Sequence, residues 1–158
     1  MRKILAVMNS GLWVAALICV VAVLLSAAKV EAQAVRTTEF AQNVKAVYFS
    51  FNVYNKVTDS ADLDSDAEWL KQHPGSHLWI QGYADVRGDI FYNLVLSYRR
   101  AQFVKTSLAK RGVDASRIDY ATGWGKLYPV CDAHDDACFQ KNRYVDILEP
   151  QMLMLPPM

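Results

Sequence analysis

The sequence lacks a surplus of either charge: 17 basic and 16 acidic residues leave a formal net charge of +1. No basic stripe stands out along it, so nucleic acid is not an expected partner. Cysteine is scarce, three residues in 158. Histidine is equally scarce; the run Gly82 to Ala101 offers no nucleophile with a base beside it, and His134 with Asp132, Asp135 and Asp136 lies in a hydrophilic loop without an orienting scaffold, so the chain is not expected to be an enzyme or to carry a cofactor. No internal repeat is present. The longest apolar run, Leu12 to Ala28, is shorter than the roughly 20 residues of a spanning helix. It is also longer than the roughly 7–15 residues of a signal-peptide core.

That run follows Arg2 and Lys3 and stops at Lys29. Two readings stay open for residues 1–34: a cleaved signal peptide, or an N-terminal membrane anchor with a linker. Val30-Glu31-Ala32 and Ala32-Gln33-Ala34 both put small residues where a signal peptidase needs them. Either way the positive start stays in the cytoplasm and the rest is exported, to the periplasm or cell envelope, outer-membrane associated or anchored by the N-terminal apolar segment. Cys19 follows Ile18, where a lipid-attachment signal requires a small residue, so lipidation is not expected. Residues 35–150 are expected to form the exported domain and 151–158 an apolar C-terminal tail.

Cys131 and Cys138 bracket the segment CDAHDDAC. In an exported domain such a pair reads as a disulfide closing a small loop. The alternative is zinc held by Cys131, His134 and Cys138. That set is one ligand short of a tetrahedral site unless Asp132, Asp135 or another residue completes it.

Strand and helix patterns alternate through the domain. Residues 45–51 (KAVYFSF) and 77–83 (HLWIQGY) read as strands, with Trp79 and Trp69 expected in the core. A helix capped by Ser60 or Asp62 runs to about Gln72, with Ala61, Leu63, Trp69 and Leu70 on its apolar side, and ends at His73-Pro74-Gly75. A second helix spans Asn93 to Lys110, with Gly112 just past its end. Residues 117–122 and 143–148 read as strands, and the stretch between them as turns. The order β-α-β-α-β-β implies an α+β sandwich, with helices on one face of a mixed sheet.

The run Gly82 to Ala101, GYADVRGDIFYNLVLSYRRA, is the most informative. It places Asp85 in a glycine-bounded loop and Arg100 two to three turns into the helix. Asn93 and Arg100 differ by only roughly 20° around a helix axis. With Ser97 they form one stripe. Helical side chains lean toward the N-terminus, so Arg100 reaches toward the Asp85 loop. A fixed acid and a fixed base facing one cleft suit a ligand carrying both an ammonium and a carboxylate. A structural Asp85–Arg100 salt bridge pinning loop to helix is the alternative.

Residues 47–148 resemble the OmpA C-terminal-like domain, most closely the form found in the peptidoglycan-associated lipoprotein. The resemblance lies in VYFSFN (47–52), GYADVRG (82–88), YNLVLSYRRA (92–101), GVDASRI (112–118), GWGKLYP (123–129) and NRYV (142–145). It implies non-covalent binding of peptidoglycan, with the residues matching Asp85 and Arg100 holding the charged ends of diaminopimelate in the stem peptide. Those matching Asn93 and Arg143 support the same site. A cysteine pair before the last strand occurs in some members of the family. Three positions depart from its pattern: Tyr83 replaces a histidine, Ser50 an acid and Tyr144 an arginine. The expected function is a tether between envelope and wall, with the stem peptide as ligand, envelope proteins as further partners, and the membrane as a partner if the leader stays uncut. The alternative is an interaction module of a larger envelope assembly, such as a secretion system or a motor stator, with weak or no wall binding.

Overall fold

The structure is a computed structural model that describes residues 18–26 and 38–150. The chain divides after Thr38 into a short N-terminal unit and a compact unit beginning at Glu39. In the first, residues 18–26 are helical. No helix among the described residues is long and apolar enough to cross a membrane. Most of the leader expected over 1–34, and the tail expected over 151–158, lie outside the described residues.

In the second unit, a helical segment at 39–43 precedes β1 (Val47–Tyr48). Then come α1 (Ser60–Gln72), β2 (Leu78–Gly82), α2 (Ile90–Lys110), a 3₁₀ turn (Ala115–Arg117), β3 (Ile118–Gly123), α3 (Asp136–Asn142) and β4 (Tyr144–Leu148). The sheet order is β1-β4-β2-β3. β4 runs antiparallel to both β1 and β2, while β2 and β3 are parallel. A parallel pair needs a long crossover, and α2 supplies it. This is the mixed α+β sheet expected from the sequence.

Alternation along the strands sets the two faces. Val47, Leu78, Ile80, Val145 and Ile147 point to the core with Leu63, Ala67 and Leu70 of α1 and Ala101, Val104 and Leu108 of α2. Both helices therefore cover one face. The other face carries Tyr48, Tyr144, Asp146, Gln81, Trp79 and Tyr120. Trp79 is half-buried there against Tyr120, ring centroids 5.6 Å apart, and so is not the core residue expected. Ala61 is exposed and makes no part of α1's apolar side. Trp69 packs at the core's rim, edge-on to Phe40.

The remaining differences from expectation have local causes. The first strand has two residues rather than seven: before it, Lys45 turns its N–H to the Asp66 carboxylate (3.0 Å), and after it Phe49 makes only an isolated bridge to Val57. Asp59, not Ser60 or Asp62, caps α1. Helix α2 starts three residues before Asn93 because Asp89 accepts from the Phe91 and Tyr92 amides. Helix α3 occupies a stretch expected to be turns: Asp135 caps it through the Cys138 amide at 2.7 Å. Arg143, expected in the last strand, is instead the C-cap of α3. Cys131 and Cys138 are joined as a disulfide, which removes the thiolates that the zinc alternative required.

Close approach of α2 to the sheet requires two glycines. A Cβ on Gly82 would stand 2.0 Å from the Ser97 carbonyl oxygen, and one on Gly123 would stand 2.2 Å from the Tyr98 amide nitrogen. Bare backbone at these points lets the helix that carries Asn93, Ser97 and Arg100 rest against the strand ends.

Candidate ligand-binding site

At the carboxyl end of β2 a narrow cleft of about 80 Å³ is lined by Asp85, Arg87, Asn93, Arg100 and Arg143, with Phe51, Leu96 and Tyr92 among its apolar walls. All four residues expected from the sequence line it. They arrive from three directions: Asp85 from the loop after β2, Asn93 and Arg100 from one stripe of α2, and Arg143 from the junction of α3 with β4.

Arg100 is fully buried. Its Nε donates to the Val53 carbonyl (2.8 Å), Nη1 to Tyr83 (2.9 Å) and Nη2 to Ser50 (3.1 Å). Among the described residues no carboxylate pairs with it, and two of its five N–H groups remain for a ligand. Burial, with Arg143 nearby, pulls its pKa down to about 10. The guanidinium is thus charged at neutral pH, desolvated, and oriented by three backbone carbonyls and by the Phe49 ring, whose centroid lies 5.2 Å away.

Asp85 is nearly as buried, at 4% exposure. It does not bridge to Arg100, so the alternative of an Asp85–Arg100 salt bridge is not what forms. Its Oδ1 accepts from the Arg87 Nε (3.0 Å) and backbone N–H (3.2 Å). Its Oδ2 accepts from Arg87 Nη2 (2.8 Å) and Arg143 Nη1 (3.1 Å). Burial alone pushes this carboxyl upward, but the hydrogen bonds from Arg87 and Arg143 outweigh it and hold the pKa below the usual carboxylate value.

Arg143 is fixed by its other donors. Its Nε reaches the Phe49 carbonyl (3.1 Å), and Nη2 donates to the Gln140 side chain. Asn93 donates from Nδ2 to the Arg87 carbonyl at 2.7 Å and thereby ties the loop to the helix. Ser97 accepts from the Gly125 amide at 2.8 Å. Lys126 donates from Nζ to the Val86 (3.1 Å) and Gly88 (2.7 Å) carbonyls. The Asp85 loop is therefore held at its ends by α2 and by the turn after β3.

Sequence reasoning missed Arg87. The available signal was its place two residues after Asp85, the spacing at which an aspartate side chain bonds its own backbone. Its guanidinium carbon lies 4.2 Å from the centroids of both Phe51 and Phe139. Three guanidiniums therefore line the cleft with one carboxylate, two of them bonded to it, and the cleft carries surplus positive charge.

Two of the departures noted in the sequence meet each other. Tyr83 and Tyr144 stack with centroids 4.5 Å apart and planes 14° from parallel, and the Tyr83 amide donates to the Tyr144 carbonyl at 2.8 Å. Neither lines the cleft. Burial pushes the Tyr83 hydroxyl up to about 12, so it stays neutral while donating to the Gln81 side chain. The third, Ser50, offers its backbone carbonyl to Arg100.

A mixed four-stranded sheet with helices packed on one face is the fold of the OmpA-like domains. The chain belongs to the OmpA family, which it matches over residues 48–143. It is similar to the peptidoglycan-associated lipoprotein of Haemophilus influenzae, 36% identical over 103 residues, covering 65% of this chain and 67% of that one. The corresponding protein of Agrobacterium fabrum is 36% identical over 106 residues, covering 60% and 59%. The chain thus spans about two thirds or less of these curated relatives. Among solved structures, the peptidoglycan-associated lipoprotein of Burkholderia pseudomallei superposes with a TM-score of 0.61 at 40% identity, over 66% of this chain and 88% of that one. The C-terminal domain of Helicobacter pylori MotB shares the fold, with a TM-score of 0.60 at 18% identity over 66% and 83%.

Proposed function

We propose that this domain binds peptidoglycan non-covalently, in the periplasm, and tethers the cell envelope to the wall. The ligand is the diaminopimelate of the stem peptide, whose far end carries an ammonium and a carboxylate on one carbon. Arg100 takes the carboxylate, Asp85 pairs with the ammonium, and Asn93 and Arg143 hold the loop and the acid in place.

The observation that carries this reading is Arg100: a fully buried cation, open to the cleft, with no carboxylate of its own among the described residues. Arg117 sharpens the point by contrast. It too binds three carbonyls, of Leu70, His73 and Ser76, but these close the end of α1 and that arginine lines no part of the cleft. The relatives named for peptidoglycan support the same reading. So does the absorption of Tyr83 and Tyr144 into a stacked pair away from the cleft.

The test is calorimetric titration with a soluble tripeptide ending in meso-diaminopimelate. Losing the contact to a buried charged ligand end costs about 3 kcal/mol, roughly a hundredfold in affinity. Arg100→Gln is expected to lose that much, while Arg117→Gln binds as wild type does. Equal affinity in wild type and Arg100→Gln contradicts the reading.

A further inference from the structure

Asp85 has no acceptor position left for a ligand. A carboxylate offers about four lone-pair sites. Here Oδ1 takes the Arg87 Nε and N–H, while Oδ2 takes Arg87 Nη2 and Arg143 Nη1. An incoming ammonium has to remove one of these donors. Arg143 cannot easily leave, because its side chain is only 10% exposed and also bonds Phe49 and Gln140. The Arg87 side chain is 36% exposed, and its hydrogen bonds all go to Asp85. Its backbone is held separately: Asn93 bonds the Arg87 carbonyl, and Lys126 bonds the carbonyls on either side. The side chain can therefore swing while the loop stays. Phe51 and Phe139 flank the guanidinium in its Asp85-bound position, each ring centroid 4.2 Å from its carbon, and so stay within reach of it as it swings out.

We propose that Arg87 is a built-in occupant of the ammonium position at Asp85, and that ligand binding is an exchange of the ligand's ammonium for the Arg87 guanidinium. The inference rests on reading the cleft as a site for a zwitterionic ligand end. Arg87 then sets specificity. A ligand that brings only a carboxylate engages Arg100 and leaves Arg87 in place. A ligand that also brings an ammonium must break the Arg87 fork before it gains Asp85. Arg87 lowers the site's preference for a free amine, and removing it raises that preference.

The experiment uses the full chain in mild detergent and two probes. One is the tripeptide ending in meso-diaminopimelate; the other is the same tripeptide with its free side-chain amine acetylated. Wild type is expected to bind the first more tightly. Arg87→Gln is expected to tighten the first by roughly fivefold, the worth of a partly exposed ion pair, and to leave the second unchanged or weaker. Arg87→Lys, which keeps the charge but loses the fork, moves the ratio the same way by less, and guards against a fold defect in the glutamine variant. In wild type, the Arg87 Nε–H signal is expected to shift toward that of a free guanidinium on saturation with the free amine and to stay in place with the acetylated probe. If both variants keep their melting temperatures and bind the free amine no more tightly than wild type, Arg87 is not the competitor, and the wall-binding reading stands without it. If wild type binds neither probe, the reading of the cleft fails and this inference falls with it.

Discussion

Replacing Gly82 with alanine tests whether the close seat of α2 on the sheet holds the site together. The new Cβ would lie 2.0 Å from the Ser97 carbonyl oxygen and 2.8 Å from its carbon. Ordinary contact begins near 3.4 Å, and the atoms in the way are helix backbone, which cannot rotate aside. The helix must withdraw by more than 1 Å, and Arg100 rides on it. Its bonds to Val53, Tyr83 and Ser50, at 2.8, 2.9 and 3.1 Å, have no slack for such a shift. Overpacking of a core costs about 1–3 kcal/mol, and a backbone clash belongs at the upper end. About 3 kcal/mol lowers the melting temperature of a domain this size by roughly 15 °C. Calorimetric melting of Gly82→Ala beside wild type measures the loss, and tripeptide titration below the transition measures the site. A melting point within a few degrees of wild type, with binding intact, refutes the account of how the helix positions Arg100.

The other predictions concern buried charge and the disulfide loop. Burial pushes Asp66 up to about 6, with the Lys45 amide pulling the other way. Between pH 4 and 6 the folded chain keeps a proton that the unfolded chain releases, so stability falls as pH rises through that window. The shift corresponds to about 3 kcal/mol. Burial also pushes Asp146 up to about 6, so Asp66→Asn, which keeps an acceptor for Lys45, is expected to reduce but not abolish the fall of melting temperature over that range and to be the more stable protein at pH 7; an unchanged pH profile contradicts this. Opening the disulfide by Cys131→Ser with Cys138→Ser releases a short loop and is expected to cost about 2–3 kcal/mol in urea unfolding. It also loosens α3, which carries Phe139 and ends at Arg143, so tripeptide affinity falls as well; affinity equal to wild type would uncouple loop from site. Arg117→Met strands the carbonyls of Leu70, His73 and Ser76 and is expected to cost about 2 kcal/mol in stability, with tripeptide affinity unchanged in titration.

How much was legible in the sequence depended on the range of the interaction. Asn93, Ser97 and Arg100 were placed together because they lie on one helix, where periodicity decides facing. The sheet and both long helices followed from alternation and from stop signals such as Gly112, whose φ of 92° ends α2. The Asp85–Arg143 contact joins residues 58 apart. It depends on β4 lying next to β2, which no local pattern encodes; only the family resemblance brought Arg143 into the site. Helix α3 was hidden because aspartates and a cysteine pair read as turn, and one of those aspartates is its cap. Arg87 has little local signal because a charged residue in a loop ordinarily faces water, whereas here two phenylalanines and a buried acid hold it. The Tyr83–Tyr144 stack shows the same limit. Two separate departures from a pattern became one packed pair only once strand order was known.

The measurement that bears most directly on the central claim is co-sedimentation of the full chain with two kinds of sacculi, one with diaminopimelate in its stem peptides and one with lysine at the same position. Lysine keeps the ammonium but lacks the carboxylate that Arg100 is held to receive. The account predicts that the chain sediments with the first and stays soluble with the second, and that Arg100→Gln stays soluble with both. Equal sedimentation with both walls, or an Arg100→Gln variant that still sediments with the diaminopimelate wall, would contradict it.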